Sequence, residues 1–264
     1  MERRRADVVL AERGLFPSRE KARAAILTGG VRVEGRVLRK AGERIDEDAA
    51  VEIREAETYV SRGGVKLAHA LDVFDIDVSG VRAVDVGAST GGFTDCLLQH
   101  GAEHVTAVDV GYGQFAWKLR NDDRVAVRER TNIRKVVPTE LGAPFDVATI
   151  DVSFISLVTV LPNVLGLLAD EGALLALVKP QFEAGKGRVG KRGVVRDPAT
   201  HVDVLVRVCE ALCENGLIVR GLAWSPIKGP EGNIEFWVWA ARSGDATHTT
   251  PEEIVRDAHG ELGV

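Results

Sequence analysis

The chain has 264 residues, 45% of them hydrophobic, a formal net charge of −5 and three cysteines. That length holds one large domain, or a normal one with a small companion, and the composition excludes disordered, collagen-like and disulfide-stapled chains. No stretch approaches the roughly 20 apolar residues of a membrane span, and the N-terminus lacks the apolar centre of a signal peptide, so a cytoplasmic, reduced setting is expected. Cys96, Cys209 and Cys213 show no metal-type grouping; Cys209 and Cys213, four apart on a predicted helix, read as core, and no metal is expected.

The acidic total conceals a split. Residues 1–44 carry twelve Lys/Arg against six Asp/Glu, and residues 45–57 carry one against six. A basic module inside an acidic chain is a local footprint for a polyanion. Its elements are short. A helix is predicted over Ala6–Arg13, and Ser18 is placed to cap a second over Arg19–Leu27, with Gly29-Gly30 as its stop. Strands follow at 31–33, 36–38 and 51–53. The order Arg5, Asp7, Leu10, then Arg13 to Arg19, Ala22, Ile26 and Gly30-Val-Arg-Val-x-Gly35, resembles the S4 RNA-binding domain. Arg3, Arg4, Arg5, Arg19, Lys21, Arg23 and Arg32 are candidates to contact phosphates, which gives salt-dependent, shape-reading affinity. A solvated helix face is the alternative for such a charge run. The boundaries read as 1–56 for this α+β module, 57–62 for a linker and 63–264 for the rest.

From Val60 the pattern changes to strands alternating with helices. Strand candidates are 81–86, 104–109, 125–128, 145–150, 173–178, 217–223 and 234–240, with a closing helix over 251–261. Alternation implies an α/β, mostly parallel seven-stranded sheet covered on both faces. The last two candidates have no helix between them and predict an antiparallel edge. This is the Rossmann-like arrangement of S-adenosylmethionine-dependent methyltransferases.

The first of these strands runs into Asp85-Val-Gly87-Ala88-Ser89-Thr90-Gly91-Gly92-Phe93. Strand, glycine turn and helix start form a nucleotide-type seat. Gly-x-x-x-Gly-Gly is not the pyrophosphate spacing, and an acid at the mouth suits a ligand with an ammonium group rather than phosphates. S-adenosylmethionine has one. Asp109 ends the next strand, where an acid binds ribose hydroxyls. The bland alternative is a helix-packing turn.

Strand ends also name an acceptor. Asp151 ends the fourth parallel strand, without the Pro-Pro-aromatic sequel of amine methylation, and no cysteine is set for attack on pyrimidine carbon. Lys179 ends a fully apolar strand, where an unpaired ammonium is costly, so it needs a carboxylate partner or a lowered pKa. With Lys66, after Ser61-Arg62-Gly-Gly, and Glu235, entering the last strand, these make a candidate Lys-Asp-Lys-Glu tetrad. Such a set suits a ribose 2′-hydroxyl, a weak acid that needs its proton taken or its lone pair oriented. Ordinary salt bridges are the alternative for each residue taken singly.

Val60-Ser-Arg-Gly-Gly-x-Lys-Leu, the 85–94 turn, Ala107-Val-Asp-Val110-Gly111-Tyr-Gly-Gln, Glu129-Arg-Thr-Asn132, Asp151-Val-Ser-Phe-Ile-Ser, Leu177-Val-Lys-Pro-Gln-Phe-Glu and Gly232-Asn-Ile-Glu span nearly the whole chain. Together they resemble the TlyA family of S4-plus-FtsJ-type methyltransferases. The resemblance implies cytidine 2′-O-methylation of ribosomal RNA within small or large ribosomal subunits. It places Asn132 and Asp151 beside the adenosine, with Val110 and Gly111 against the cofactor. Tyr59 stands where the family commonly has tryptophan. Relatives described as haemolysins make a membrane-active protein one alternative; a non-catalytic ribosome-binding factor with a cofactor pocket is another. The chain is expected to be monomeric off the ribosome.

Gly185-Lys-Gly-Arg-Val-Gly190-Lys191 matches the start of a phosphate-binding P-loop, but Arg192 stands where the magnesium ligand would be, so nucleotide hydrolysis is rejected. Lys186, Arg188, Lys191 and Arg192, with Arg62, read instead as a basic loop able to close over RNA, or as a solvated one.

Overall fold

The computed structural model describes residues 3–27, 30–38, 40–53, 58–185 and 187–263. Gly29, Glu57 at the start of the expected linker, and Lys186 lie outside them. The contacts divide the chain into two units, Met1–Thr58 and Tyr59–Val264.

In the first unit Ser18 Oγ accepts from Lys21 N at 3.2 Å and opens α2 (Arg19–Leu27), which packs on α1 (Ala6–Glu12). Val9, Leu10, Ala22 and Ile26 share a core with Val31, Val33, Leu38 and Ile45. β2 (Val31–Val33) pairs antiparallel with β3 (Arg36–Val37) and β5 (Val51–Ile53). One ladder had no sequence signal: β1 (Arg3–Arg5) pairs with β4 (Arg44–Asp46), Arg4 opposite Ile45. Three arginines carry no apolar alternation; a partner forty residues away makes them a strand.

The second unit begins earlier than the expected linker end. Tyr59 is buried, and Ser61 Oγ accepts from Gly63 N at 3.3 Å to cap α3 (Arg62–Val73). A Cβ on Gly64 would run into the Tyr59 ring. Residues 59–62 therefore belong to this unit rather than to a free linker.

Its sheet follows the expected alternation: β6 (Arg82–Val86), α4 (Gly92–Gln99), β7 (His104–Val108), α5 (Trp117–Arg120), β8 (Val125–Arg128), α6 (Pro138–Leu141), β9 (Phe145–Ile150), α7 (Leu157–Leu165), β10 (Leu168–Val178), α8 (Pro180–Glu183), α9 (Pro198–Glu214), β11 (Ile218–Trp224), β12 (Phe236–Ala241) and α10 (Pro251–Leu262). The spatial order is β11-β12-β10-β9-β6-β7-β8. The five from β10 to β8 run parallel, and β12 inserts antiparallel between β10 and β11. Buried on both faces, the central strands read as near-continuous apolar runs. Adjacent residues of β12 serve opposite faces: Phe236 joins the core under α7 and α9, and Trp237 the core under α3 and α4. On α9, Cys209 packs against the core, but Cys213 is exposed. The reading of both cysteines as core fails for Cys213, which falls at the end of the last turn, away from the buried stripe.

Candidate active site

Parallel strands deliver their C-terminal ends to one edge, where a crevice opens. In register, Val86 lies beside Val108 and Ile150, and Ala176 beside Ile150. Gly87, Asp109, Asp151 and Lys179 thus emerge together. A cavity of about 500 Å³ lies here, lined by Gly87, Ser89, Asp109, Val110, Gly111, Asn132, Asp151 and the 152–155 segment.

The glycine turn works differently from expectation. Asp85 is fully buried and does not line the cavity. Its Oδ2 accepts from Thr94 N at 3.0 Å and Thr94 Oγ1 at 2.7 Å, and its Oδ1 from Thr149 Oγ1 at 3.3 Å. Burial lifts this carboxyl to about 7, against the pull of the Thr94 hydrogen bond. It holds α4 to β9 from beneath the turn rather than meeting a ligand at the mouth. Gly87 (φ 88°) lets the Asp151 carbonyl pass 2.6 Å from where a Cβ would stand. Gly91 caps α4 in the left-handed region, and a Cβ on Gly92 would strike Ser61 and α3. Phe93 stacks on Trp237 with ring centroids 5.4 Å apart. Ala88, Thr90, Gly91, Gly92 and Phe93 shape the turn without lining the cavity.

Asp109 does line it. Its two oxygens accept from Ser89 N at 2.7 Å and Gly111 N at 2.6 Å. Ser89 itself takes a positive φ of 50°. Asn132 opens a short 3₁₀ turn, its Oδ1 accepting from Arg134 N at 3.0 Å. Thr131, Ile133, Arg134, Gln114 and Ile155 also line it; Gln114, Thr131 and Ile155 lie within the family motifs without an assigned role, and Ile133 and Arg134 lie outside them.

Four charged residues meet beside the cavity. The β10–β12 register, Val178 opposite Phe236, sets Lys179 across from Glu235. Lys179 Nζ lies 2.5 Å from Asp151 Oδ1 and donates to Ser153 Oγ at 3.0 Å. Lys66 Nζ, on the buried face of α3, donates to Glu235 Oε2. Glu235 also feels Lys179 and Asp151. Its burial pushes the carboxyl above the usual range while Lys66 pulls it back. Two ammonium groups and two carboxylates balance, which is what lets so many charges sit largely out of water. Gly229 presses on the same carboxylate: a Cβ there would lie 2.5 Å from Glu235 Oε1.

Residues 59–242 match the FtsJ-like methyltransferase family and residues 4–51 the S4 domain. The chain is 48% identical to Bacillus subtilis YqxC, described as a candidate rRNA methyltransferase, over 99% of this chain and 96% of that one. It is 45% identical to the 16S/23S rRNA (cytidine-2′-O)-methyltransferase TlyA of Mycobacterium tuberculosis, over 92% and 91% of the two chains. The chain belongs to the TlyA family. The TlyA architecture recurs in a solved structure from Streptococcus thermophilus described as a candidate hemolysin, 43% identical, covering 99% of this chain and 98% of that one with a TM-score of 0.77.

The basic residues of this TlyA-family chain divide. Arg4 pairs with Glu12 and Glu47 at 2.9 and 2.7 Å, Arg5 and Arg19 with the buried Asp7 at 2.9 and 3.3 Å, and Arg3 with Asp46 at 4.0 Å. Arg32 bonds the Gly35 carbonyl at 3.2 Å. Lys21 and Arg23 are exposed and carry no ion pair among the described residues. In the second unit Arg62 bonds the Lys228 carbonyl at 2.5 Å and Arg188 pairs with Asp203 at 2.5 Å. Arg192 is exposed in a left-handed turn (φ 62°) at Lys191–Gly193. Exposed Arg128, Arg130, Arg134 and Lys135, near the cavity rim, were not anticipated and also lack ion pairs among the described residues. Arg130 lies 4.0 Å over the Tyr112 ring.

Proposed function

We propose that the protein moves a methyl group from S-adenosylmethionine to the 2′-oxygen of a cytidine ribose in ribosomal RNA. The tetrad beside the cavity carries this reading: a balanced Lys-Asp-Lys-Glu cluster at the strand ends suits a hydroxyl acceptor. The cytidine and the ribosomal substrate come from the M. tuberculosis relative's description.

The cavity fits the cofactor in size and donor set. A carboxylate offers about four lone-pair sites. Asp109 has spent one per oxygen on backbone N–H groups and keeps the others for ribose hydroxyls. Asn132, its Oδ1 taken by Arg134 N, turns its amide NH₂ to the ligand, and Val108 and Ile133 supply the apolar wall for a base. When bound, S-adenosylmethionine supplies an electrophilic methyl group on a sulfonium. Lys179, ion-paired with the cavity-lining Asp151, donates to the 2′-oxygen and orients its lone pair toward the methyl group, and the Asp151 carboxylate takes the hydroxyl proton as the oxygen attacks. Asp151 and Ser153 fix the Lys179 amine, and Glu235 fixes Lys66 behind it. The remaining contribution is positioning. Phe154, 91% exposed beside Ser153, offers a face for a base. The first unit, Arg192 and the cavity-rim cations hold the RNA, with the protein acting as a cytoplasmic monomer on ribosomal subunits.

Lys179→Ala tests the assignment. Methylation of purified ribosomal subunits should fall by roughly 10²- to 10⁴-fold while S-adenosylhomocysteine binding stays within a few fold. Survival of methylation would remove the tetrad. Absence of transfer by the unaltered protein to any ribosomal substrate would remove the enzyme reading and favour a ribosome-binding factor. Lysis of membranes by the purified protein would favour the hemolysin reading instead. Among the described residues no helix is long and apolar enough to cross a membrane.

A further inference from the structure

We infer that Glu183 is a positioning residue that holds one wall of the cofactor cavity in shape. The inference rests on the reading of that cavity as the methyl-donor site. Glu183 closes α8 and is buried, yet no cation pairs with its carboxylate among the described residues. Its partners lie on the segment that follows β9. Oε1 accepts from Leu157 N at 2.6 Å and Oε2 from Ser156 Oγ at 2.7 Å. Ser156 is the N-cap of α7, and its own side chain caps no backbone group. A carboxylate from another connection therefore does the capping, where a helix N-terminus favours negative charge. Arg207 of α9 donates to the Glu183 carbonyl and steadies α8 from behind.

The opposite end of the same segment is held by Lys179, through Asp151 and Ser153. Lys179 and Glu183, four residues apart, pin both ends of an arch over 151–157. At its crown Phe154 takes a φ of 64°, a costly backbone for a bulky side chain, with its ring 5.1 Å from Phe182. Such a conformation persists only when its surroundings over-determine it. Val152, Ser153, Phe154 and Ile155 all line the cavity. With the Glu183 pin gone, the arch relaxes toward ordinary backbone and the cavity loses its shape, although Glu183 touches no ligand.

The test measures S-adenosylhomocysteine binding by calorimetry, without RNA, on the full chain. Glu183→Ala is expected to weaken binding about tenfold, as two charge-assisted hydrogen bonds are lost. In methyl transfer to ribosomal subunits the KM for S-adenosylmethionine should rise while kcat changes far less. Glu183→Gln, whose amide oxygen accepts from Leu157 N and whose NH₂ donates to Ser156, should restore binding to within about twofold. Wild-type affinity in Glu183→Ala overturns the inference, as does an equal loss in Glu183→Gln. If Glu183→Ala does not fold, Ser156→Ala decides: binding weakened about threefold supports the pin, and unchanged binding overturns it. An unaltered chain that binds no S-adenosylhomocysteine overturns the cofactor reading itself, and this inference with it.

Discussion

Replacing Asp85 with asparagine removes a charge that the fold tolerates badly. The carboxyl is fully buried, bonded to Thr94 and Thr149, and forms no ion pair among the described residues. Burial raises it from 3.8 to about 7. The folded protein therefore binds this proton more tightly than the unfolded chain, and the stability tied to it falls as pH rises through that window. The loss is about 1.4 kcal/mol per pH unit, ~4 kcal/mol in full. Asparagine stays neutral, keeps an acceptor for Thr94 and gains a donor for Thr149 Oγ1. The stability gap between Asp85→Asn and the wild type should thus move toward the variant by up to ~4 kcal/mol between pH 4 and pH 8. In a unit of this size that is on the order of 10 °C in Tm. Urea and thermal unfolding of both proteins across that range measure it. Parallel stability–pH curves would refute the reasoning. Binding of S-adenosylhomocysteine should change by less than about threefold, since Asp85 is fully buried beneath the turn and does not itself line the cavity; a tenfold loss would return Asp85 to the ligand.

Two further outcomes follow from close packing and from burial. Gly229→Ala sets a methyl 2.5 Å from Glu235 Oε1 and should displace that carboxylate from Lys66; methyl transfer should drop by about 10²-fold with cofactor affinity retained, and unchanged kcat would contradict it. His201 is buried on α9 with Nδ1 2.8 Å from His259 Nε2 of α10, and burial, with His259 adding, lowers it from 6.5 to about 4. The folded state resists its protonation, so this stability is complete above about pH 6.5 and is lost as pH falls toward 4. Amide exchange in α10, corrected for intrinsic rate, should rise on the acid side and lose that dependence in His201→Gln; an identical acid limb in both proteins would contradict the sign.

The strand ends were legible because buried parallel strands are written as apolar runs, so the first polar residue after each one marks the crevice. Asp109, Asp151 and Lys179 were found this way, and Glu235 by its place before the last strand. Asp85 was misread for a related reason. It stands one residue inside the strand end, and alternation turns its side chain under the turn toward Thr94, while Gly87 reaches the crevice. Glu183 and Thr131 fall within the family motifs, but their roles, like that of Arg134, depend on how neighbouring strands pack the short connections that carry them, which the motifs do not record. The β1–β4 ladder escaped for the same cause: its strand character comes from a distant partner.

The carboxylates around Arg3, Arg4, Arg5 and Arg19 act as built-in counterions. An arginine already neutralised by its own protein must first leave its acid before it can displace a cation condensed on an RNA phosphate. Nucleic-acid affinity in the first unit should therefore respond to salt less steeply than its arginine count suggests. Lys21 and Arg23, with the exposed Arg13, Lys40 and Arg44, carry no ion pair among the described residues and would set most of that slope, while the paired arginines hold the small module in shape for a structured RNA to fit.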